Sequence, residues 1–141
     1  MDAKTFLRQL KKLDYMITNK IIEKEQWITM ATGTTAQMGG ERVQSSGSQQ
    51  KMADAVSKYV DMEKEIDQAI DILVDTRQDV INVIEKLSAS EYDLLHKIYV
   101  QYNTLYEAAE MSGKSYTWAT TVHGRALKNV QNILDGRQQR E

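Results

Sequence analysis

The sequence predicts an all-α protein. Three observations carry that expectation. Proline is absent from all 141 residues, and glycine occurs only seven times. Lys, Glu, Gln, Leu, Ile and Met are abundant, and these residues lose little on entering a helix. Apolar residues recur at spacings of three and four over long stretches, the rhythm of one helix face. Charged residues make up 27% and hydrophobic ones 41%, the balance of a folded chain. Cysteine is absent, which removes disulfides, thiol catalysis and cysteine metal sites, and fits a reducing cytoplasm. No apolar run approaches the ~20 residues needed to span a bilayer, so no membrane partner is expected. "MDAKTFLRQLKKLD" is too charged to read as a signal peptide.

The first helix is expected over 3–31. Phe6, Leu10, Leu13, Ile17, Ile21 and Ile28 draw its apolar stripe, and Trp27 and Met30 widen it. The pattern then stops. Residues 32–50 carry Gly33, Gly39, Gly40 and Gly47 among Thr, Ser and Gln, so a flexible connection is expected there. A second helix is expected over 51–87. Met52, Val56, Tyr59, Ile66, Ile70, Leu73, Val80, Ile84 and Leu87 give a nearly heptad stripe, interrupted by Glu63 and Arg77. At ~1.5 Å per residue this helix is about 55 Å long. Such a helix must cover its stripe with a partner. A long antiparallel hairpin with the first helix does so, and residues 1–87 read as a hairpin and oligomerisation region. Residues 51–87 hold five bases and nine acids, whereas 1–31 hold six bases and four acids. This complementarity gives modest support to the pairing.

A domain of three shorter helices is expected over 88–135. "SAS" breaks the second helix, and Ser90 is expected to cap the next, with Glu91 and Asp93 in its first turn. That helix should reach about Tyr102, with Leu94, Leu95, Ile98 and Tyr99 inward. Asn103 and Thr104 start the short helix "LYEAAEM", and "SGK" turns it. Ser115 caps a last helix to about Leu134. The polar tail 136–141 is expected to fray.

The last two helices and their glycine turn have the outline of a helix-turn-helix. Ala109 precedes Gly113 by four residues, placing a small side chain where the helices cross. Glycine at the turn can adopt positive φ without steric cost. Ala119, Val122 and Ala126 recur at three and four and should face inward, followed by Leu127, Val130, Ile133 and Leu134. Tyr116, Thr117, Trp118, Thr120 and Thr121 are left for the exposed first turns, the end that enters a major groove. Hydroxyls can bond base edges or phosphates, and threonine methyls can touch thymine methyls. Lys114, Ser115, Arg125 and Lys128 complete the expected DNA-binding set, with the basic side chains on phosphates. No acid lies between Ser112 and Leu134, so no carboxylate repels phosphate there. An aromatic protein interface and a plainly buried helix are the alternatives that this spacing leaves open.

"SASEYDLLHKIYVQYNTLYEAAEMSGKSYTWATTVHGRALKNVQNIL" resembles the region-4 helix-turn-helix of bacterial sigma factors, with Arg125, Ala126 and Leu127 as the Arg-Ala-Leu stretch. "FLRQLKKLDYMITNKIIEKEQW" and "MADAVSKYVDMEKEIDQAIDILVDTRQDVINVIEKL" resemble a family of small phage and prophage proteins from Gram-positive bacteria, associated with late-gene transcription regulators. The resemblance implies a DNA-binding activator of phage late genes, acting in the cytoplasm of the host cell. It implies Tyr116, Thr117, Trp118, Thr120 and Thr121 as base-facing residues, and Arg125 and Lys128 on the backbone. Sigma factors usually place charged residues at several of these positions, and the chain lacks their other regions. A complete sigma factor is therefore not expected.

The expected partners are double-stranded DNA, bacterial RNA polymerase, and further copies of the chain as a homodimer or higher homo-oligomer. Two other functions fit the same outline. One is a DNA-packaging adaptor like a small terminase subunit. The other is a module that contacts polymerase through Tyr116 and Trp118 without DNA. An enzyme is not expected. His123 has no carboxylate in helical reach, His96 has Asp93 three residues away as a surface pair, and neither completes a nucleophile–base set. No cofactor or metal is expected either.

Overall fold

A seven-residue rhythm governs the two longest helices. The computed structural model describes residues 1–33 and 46–140, and among these every regular element is helical. The protein is all-α, a long N-terminal helix pair followed by shorter helices, in agreement with the expected class. Helix α1 spans Ala3–Thr32 and α2 spans Ser46–Ile84. Helix α3, Ala89–Leu95, continues as a π-helical turn over His96–Val100. Helix α4 spans Leu105–Met111 and α5 spans Tyr116–Arg140. The expected connection at 32–50 is shorter than its glycines suggested. Thr32 ends α1, and 46–50 already belong to α2; the part at 34–45 lies outside the described residues.

The inward positions of α1 are Ala3, Phe6, Leu10, Leu13, Ile17, Lys20, Lys24, Trp27 and Ala31, each buried or half-buried. Those of α2 are Ala55, Tyr59, Met62, Ile66, Ala69, Leu73, Thr76, Val80 and Val83. Both series alternate threes and fours without a break, the spacing of a coiled-coil seam. This corrects the sequence-derived stripes. Ile21, Met52, Val56 and Ile70 are exposed, because small or amphipathic residues hold the seam where larger apolar neighbours were expected. Glu63 and Arg77 do not interrupt it, since Met62 and Thr76 take those turns.

The chain divides into two compact units, Asp14–Ile72 and Met1–Leu13 together with Leu73–Glu141. Within Asp14–Ile72, Lys20 Nζ lies 3.3 Å from Glu65 Oε2, and Lys24 Nζ lies 3.3 Å from Glu63 Oε1. The order of these pairs runs antiparallel. Lysine stems cover the seam while the ammonium groups reach its wet rim.

The other unit has two apolar clusters. Phe6, Leu7 and Leu10 of α1 meet Val80, Val83 and Ile84 of α2, Leu95, Tyr99 and Val100, and Ala126 and Val130 of α5. Leu94, Ala108, Ala109, Ala119 and Val122 form the second, between α3, α4 and α5. The π turn serves both. It sets Leu94 and Leu95, then Tyr99 and Val100, as consecutive buried pairs where a regular helix would drift off the face.

Capping fixes the short helices. Ser88, not Ser90, is the N-cap of α3. Its side chain accepts the Glu91 N–H, and Glu91 reaches back to the Ser88 N–H in a full capping box. Ser90 falls inside the first turn. Thr104 and Glu107 repeat the device on α4, whose start the sequence places at Asn103 and Thr104. Helix α5 runs to Arg140, past the expected end at Leu134. The Arg137 guanidinium grips the Asp79 carboxylate at 2.8 and 3.3 Å and anchors this last turn on α2.

Candidate nucleic-acid interface

The turn between α4 and α5 is a complete Schellman motif. The Lys114 N–H donates to the Ala109 carbonyl and the Gly113 N–H to the Glu110 carbonyl, each at 3.0 Å. Gly113 sits at φ +67°, the left-handed conformation that a side chain would strain. Ser115 then caps α5, its Oγ accepting the Trp118 N–H at 3.0 Å. Ala108, Ala109 and Ala119 are at most 2% exposed, so α4 and α5 cross on alanines. Lys114 is exposed where an apolar residue is more usual. Its ammonium lies 5.7 Å from the Trp118 ring centroid, over the ring.

Four sides of α5 follow from ~100° per residue. Ala119, Val122, Ala126 and Val130 point into the core. Thr117, Thr121, Gly124 and Lys128, at spacings of four, three and four, form a line on the opposite side, with Thr120 beside it; all are exposed. The Thr120 and Thr121 hydroxyls donate to the Tyr116 and Thr117 carbonyls at 2.9 and 3.1 Å. Their oxygen lone pairs remain available as acceptors, and these bonds fix where the methyls point. Beyond the helix's own backbone, none of the described residues comes within 4 Å of where a Cβ on Gly124 would stand.

The two flanks differ. On one, Tyr116 is exposed, and its ring lies 6.5 Å from that of Tyr106. On the other stand Trp118, Arg125 and Asn129. Trp118 is half-buried against the α3–α4–α5 cluster, where an exposed position was expected: at ~100° round the helix from the Thr117–Lys128 line it leans toward α4. The Arg125 Nε lies 3.3 Å from Glu91 Oε2, and Asn129 Nδ2 donates to the same oxygen at 2.8 Å. Glu91 is 4% exposed. Burial pushes its carboxyl up, but hydrogen bonds from Ser88, Asn129 and Arg125 outweigh burial and hold it below the ordinary carboxylate range. Arg125 is thus partly a structural partner of Glu91, although its side chain is 54% exposed.

The histidines have partners that the sequence did not reveal. His123 Nε2 lies 2.8 Å from Tyr99 Oη, with the rings stacked at 5.8 Å. These residues are 24 apart in the chain, and no local spacing joins them. His96 does not pair with Asp93. Its Nδ1 meets Gln101 Nε2 at 2.9 Å, while Asp93 holds Lys97 one turn on. Among the described residues, no group of three His, Cys, Asp or Glu side chains is placed to hold a metal, and no helix is long and apolar enough to cross a membrane.

Compared with known protein families, curated proteins and solved structures, the chain matches none.

Proposed function

We propose that the protein is a sequence-specific DNA-binding transcription regulator that reads the major groove with the first half of α5. The observation that carries this reading is the face Thr117, Thr120, Thr121, Gly124 and Lys128. It is exposed and free of acid, and it is interrupted by a glycine that no neighbour requires. A mid-helix glycine costs about 1 kcal/mol against alanine. A surface that meets another molecule closely at that point offsets the cost. The Schellman turn and alanine crossing supply a rigid support for such a face.

Self-association supports the same function, because two copies place two recognition helices on half-sites ~34 Å apart or a multiple of it. Met52, Val56 and Val60, spaced by four on α2 and each about 40% exposed, suit that role. The narrower reading, activation of phage late genes in a bacterial host's cytoplasm, rests on the family resemblance.

The test is selection of duplex DNA from a random pool by the full chain. Enrichment of one sequence is expected, and no enrichment at low salt sinks the proposal. Thr121→Ala should then change the preferred sequence. Lys128→Ala should weaken all sequences alike and lower the salt slope by about one. Gly124→Ala should stabilise the fold by roughly 0.5–1 kcal/mol yet weaken the selected site.

A second reading has its own observation. Tyr106, Met111 and Tyr116 are each more than half exposed beside the turn, the composition of a protein-contact hot spot. This suits a contact with RNA polymerase. Loss of polymerase binding in Tyr106→Ser/Tyr116→Ser, with DNA binding kept, would assign the patch to that partner.

A further inference from the structure

The unit formed by Met1–Leu13 and Leu73–Glu141 contains a cleft of about 320 Å³ beside the reading face. Helix α1 contributes Lys4, Arg8 and Lys11 to its lining, the segment after α3 contributes Asn103, and the Tyr99–His123 pair also lines it. At ~30 Å³ per water the space accommodates a tetrahedral oxyanion and several waters. Among the described residues no carboxylate lines it.

Lys4, Arg8 and Lys11 are spaced by four and three and form one line on α1. Like charges at such spacings cost a helix about 0.2–0.5 kcal/mol per pair, so stability of α1 does not explain them. Neither Lys4 nor Arg8 has a carboxylate within ion-pair distance among the described residues. Hydrogen bonds from Thr5, and last Arg8, hold Asp2 below the usual carboxylate range, and hydrogen bonds from Thr104, and last Lys11, do the same for Glu107. Its carboxylate is already engaged by the Thr104 N–H at 2.8 Å. Burial, then Lys4 and Arg8, push the His123 imidazole below its ordinary value. That ring is a neutral hydrogen-bonding group at pH 7, and neither Lys4 nor Arg8 beside it is held in an ion pair among the described residues.

We propose that this cleft is a phosphate-binding site, in which Lys4 and Arg8 supply charge from α1 and the Tyr99–His123 pair lines the far side. His123 follows Thr120 by one helical turn, so a bound phosphate lies next to the reading face of α5. Two sources carry the same chemistry, the backbone of a duplex held by α5 and a small phosphorylated molecule. The site itself does not depend on the DNA reading.

The experiment titrates the isotopically labelled full-length protein with inorganic phosphate at constant ionic strength and follows the His123 and Tyr99 ring resonances. Saturable shifts are expected. The Lys4→Gln/Arg8→Gln variant should weaken the apparent affinity roughly tenfold or more. Lys20→Gln/Lys24→Gln, which removes equal charge from the other unit, should leave it unchanged. Absence of saturable shifts, or shifts that persist undiminished in Lys4→Gln/Arg8→Gln, overturns the proposal. DNA titrations across salt then separate the sources. A slope of log affinity against log salt that falls by about two in Lys4→Gln/Arg8→Gln assigns the cleft to duplex phosphates. An unchanged slope, with the wild-type phosphate response weakened in Lys4→Gln/Arg8→Gln as expected, assigns it to a small phosphorylated ligand. A phosphate response in a protein that binds no DNA supports the cleft and removes only the DNA reading.

Discussion

The ion pairs of the helix pair at 14–72 and the carboxylate cluster beneath α5 handle charge in opposite ways. Lys20 and Lys24 hold seam positions, yet their ammonium groups meet glutamates whose side chains are more than half exposed. Glu91 is buried and collects Ser88, Arg125 and Asn129 on one carboxylate. Rim pairs of the first kind are worth ~0–1 kcal/mol, whereas breaking a buried, multiply bonded carboxylate costs several. Charge is interchangeable in one region and structural in the other, although both lie on helices with similar sequence character.

The largest expected effect tests this contrast directly. Glu91→Ala should cost about 3 kcal/mol in urea unfolding, with the α3 cap lost as well. Its pH dependence has a definite sign. The folded carboxyl lies below its unfolded value, so its contribution is complete above about pH 4.5 and is lost as pH falls through the lower folded value. Glu91→Gln should flatten the wild-type loss of stability in that acid range. An unchanged acid limb would mean that Glu91 is not the linked group.

Next in size is the alanine crossing. Ala119→Leu should cost about 1–3 kcal/mol by overpacking against Ala108 and Ala109. Ala69→Leu, at a half-buried seam position of α2, should stay within about 0.5 kcal/mol. Equal costs in calorimetry would erase the distinction between a closed crossing and an open seam. Gly113→Ala should cost about 1 kcal/mol, through its positive φ alone, since no atom obstructs the new methyl. The smallest effect belongs to the rim. Lys20→Leu/Lys24→Leu should raise stability by less than about 1 kcal/mol, because apolar stems replace pairs that contribute little. A loss larger than that would make these pairs structural after all.

Helix content and the turn at Gly113 were legible in the sequence because both depend on local chemistry. The absence of proline, the helix start at Asn103 and Thr104 and the Ala109–Gly113 spacing act within one or two turns. The seam was read off register because Ile21, Val56 and Ile70 outweigh Lys20, Ala55 and Ala69 in hydrophobicity, while geometry selects position and not size. Ser88 was missed as a cap because Ser90 has the same chemistry two residues on. Only the reach of Glu91 back to Ser88 decides between them. Of the candidate interface, the line from Thr117 to Lys128 follows from helical period. The Tyr99–His123 and Glu91–Arg125 contacts, and the cleft above Lys4 and Arg8, join residues far apart in sequence. Nor does local pattern reveal that the two ends of the N-terminal pair share a core with α5.

The π turn at His96–Val100 also determines how this helix tolerates changes in length. It holds one residue more than an α-helical turn. Deleting one residue within it should therefore leave an ordinary α-helix between Ser88 and Thr104, with the residues beyond kept in register, because the turn absorbs the extra residue. Tyr99 would stay against His123, and the turn at Gly113 would keep its hydrogen bonds. Single-residue gaps are normally assigned to loops. For a chain one residue shorter in this region, the gap belongs inside the helix, and such a protein would keep both the exposed face of α5 and the cleft beside it.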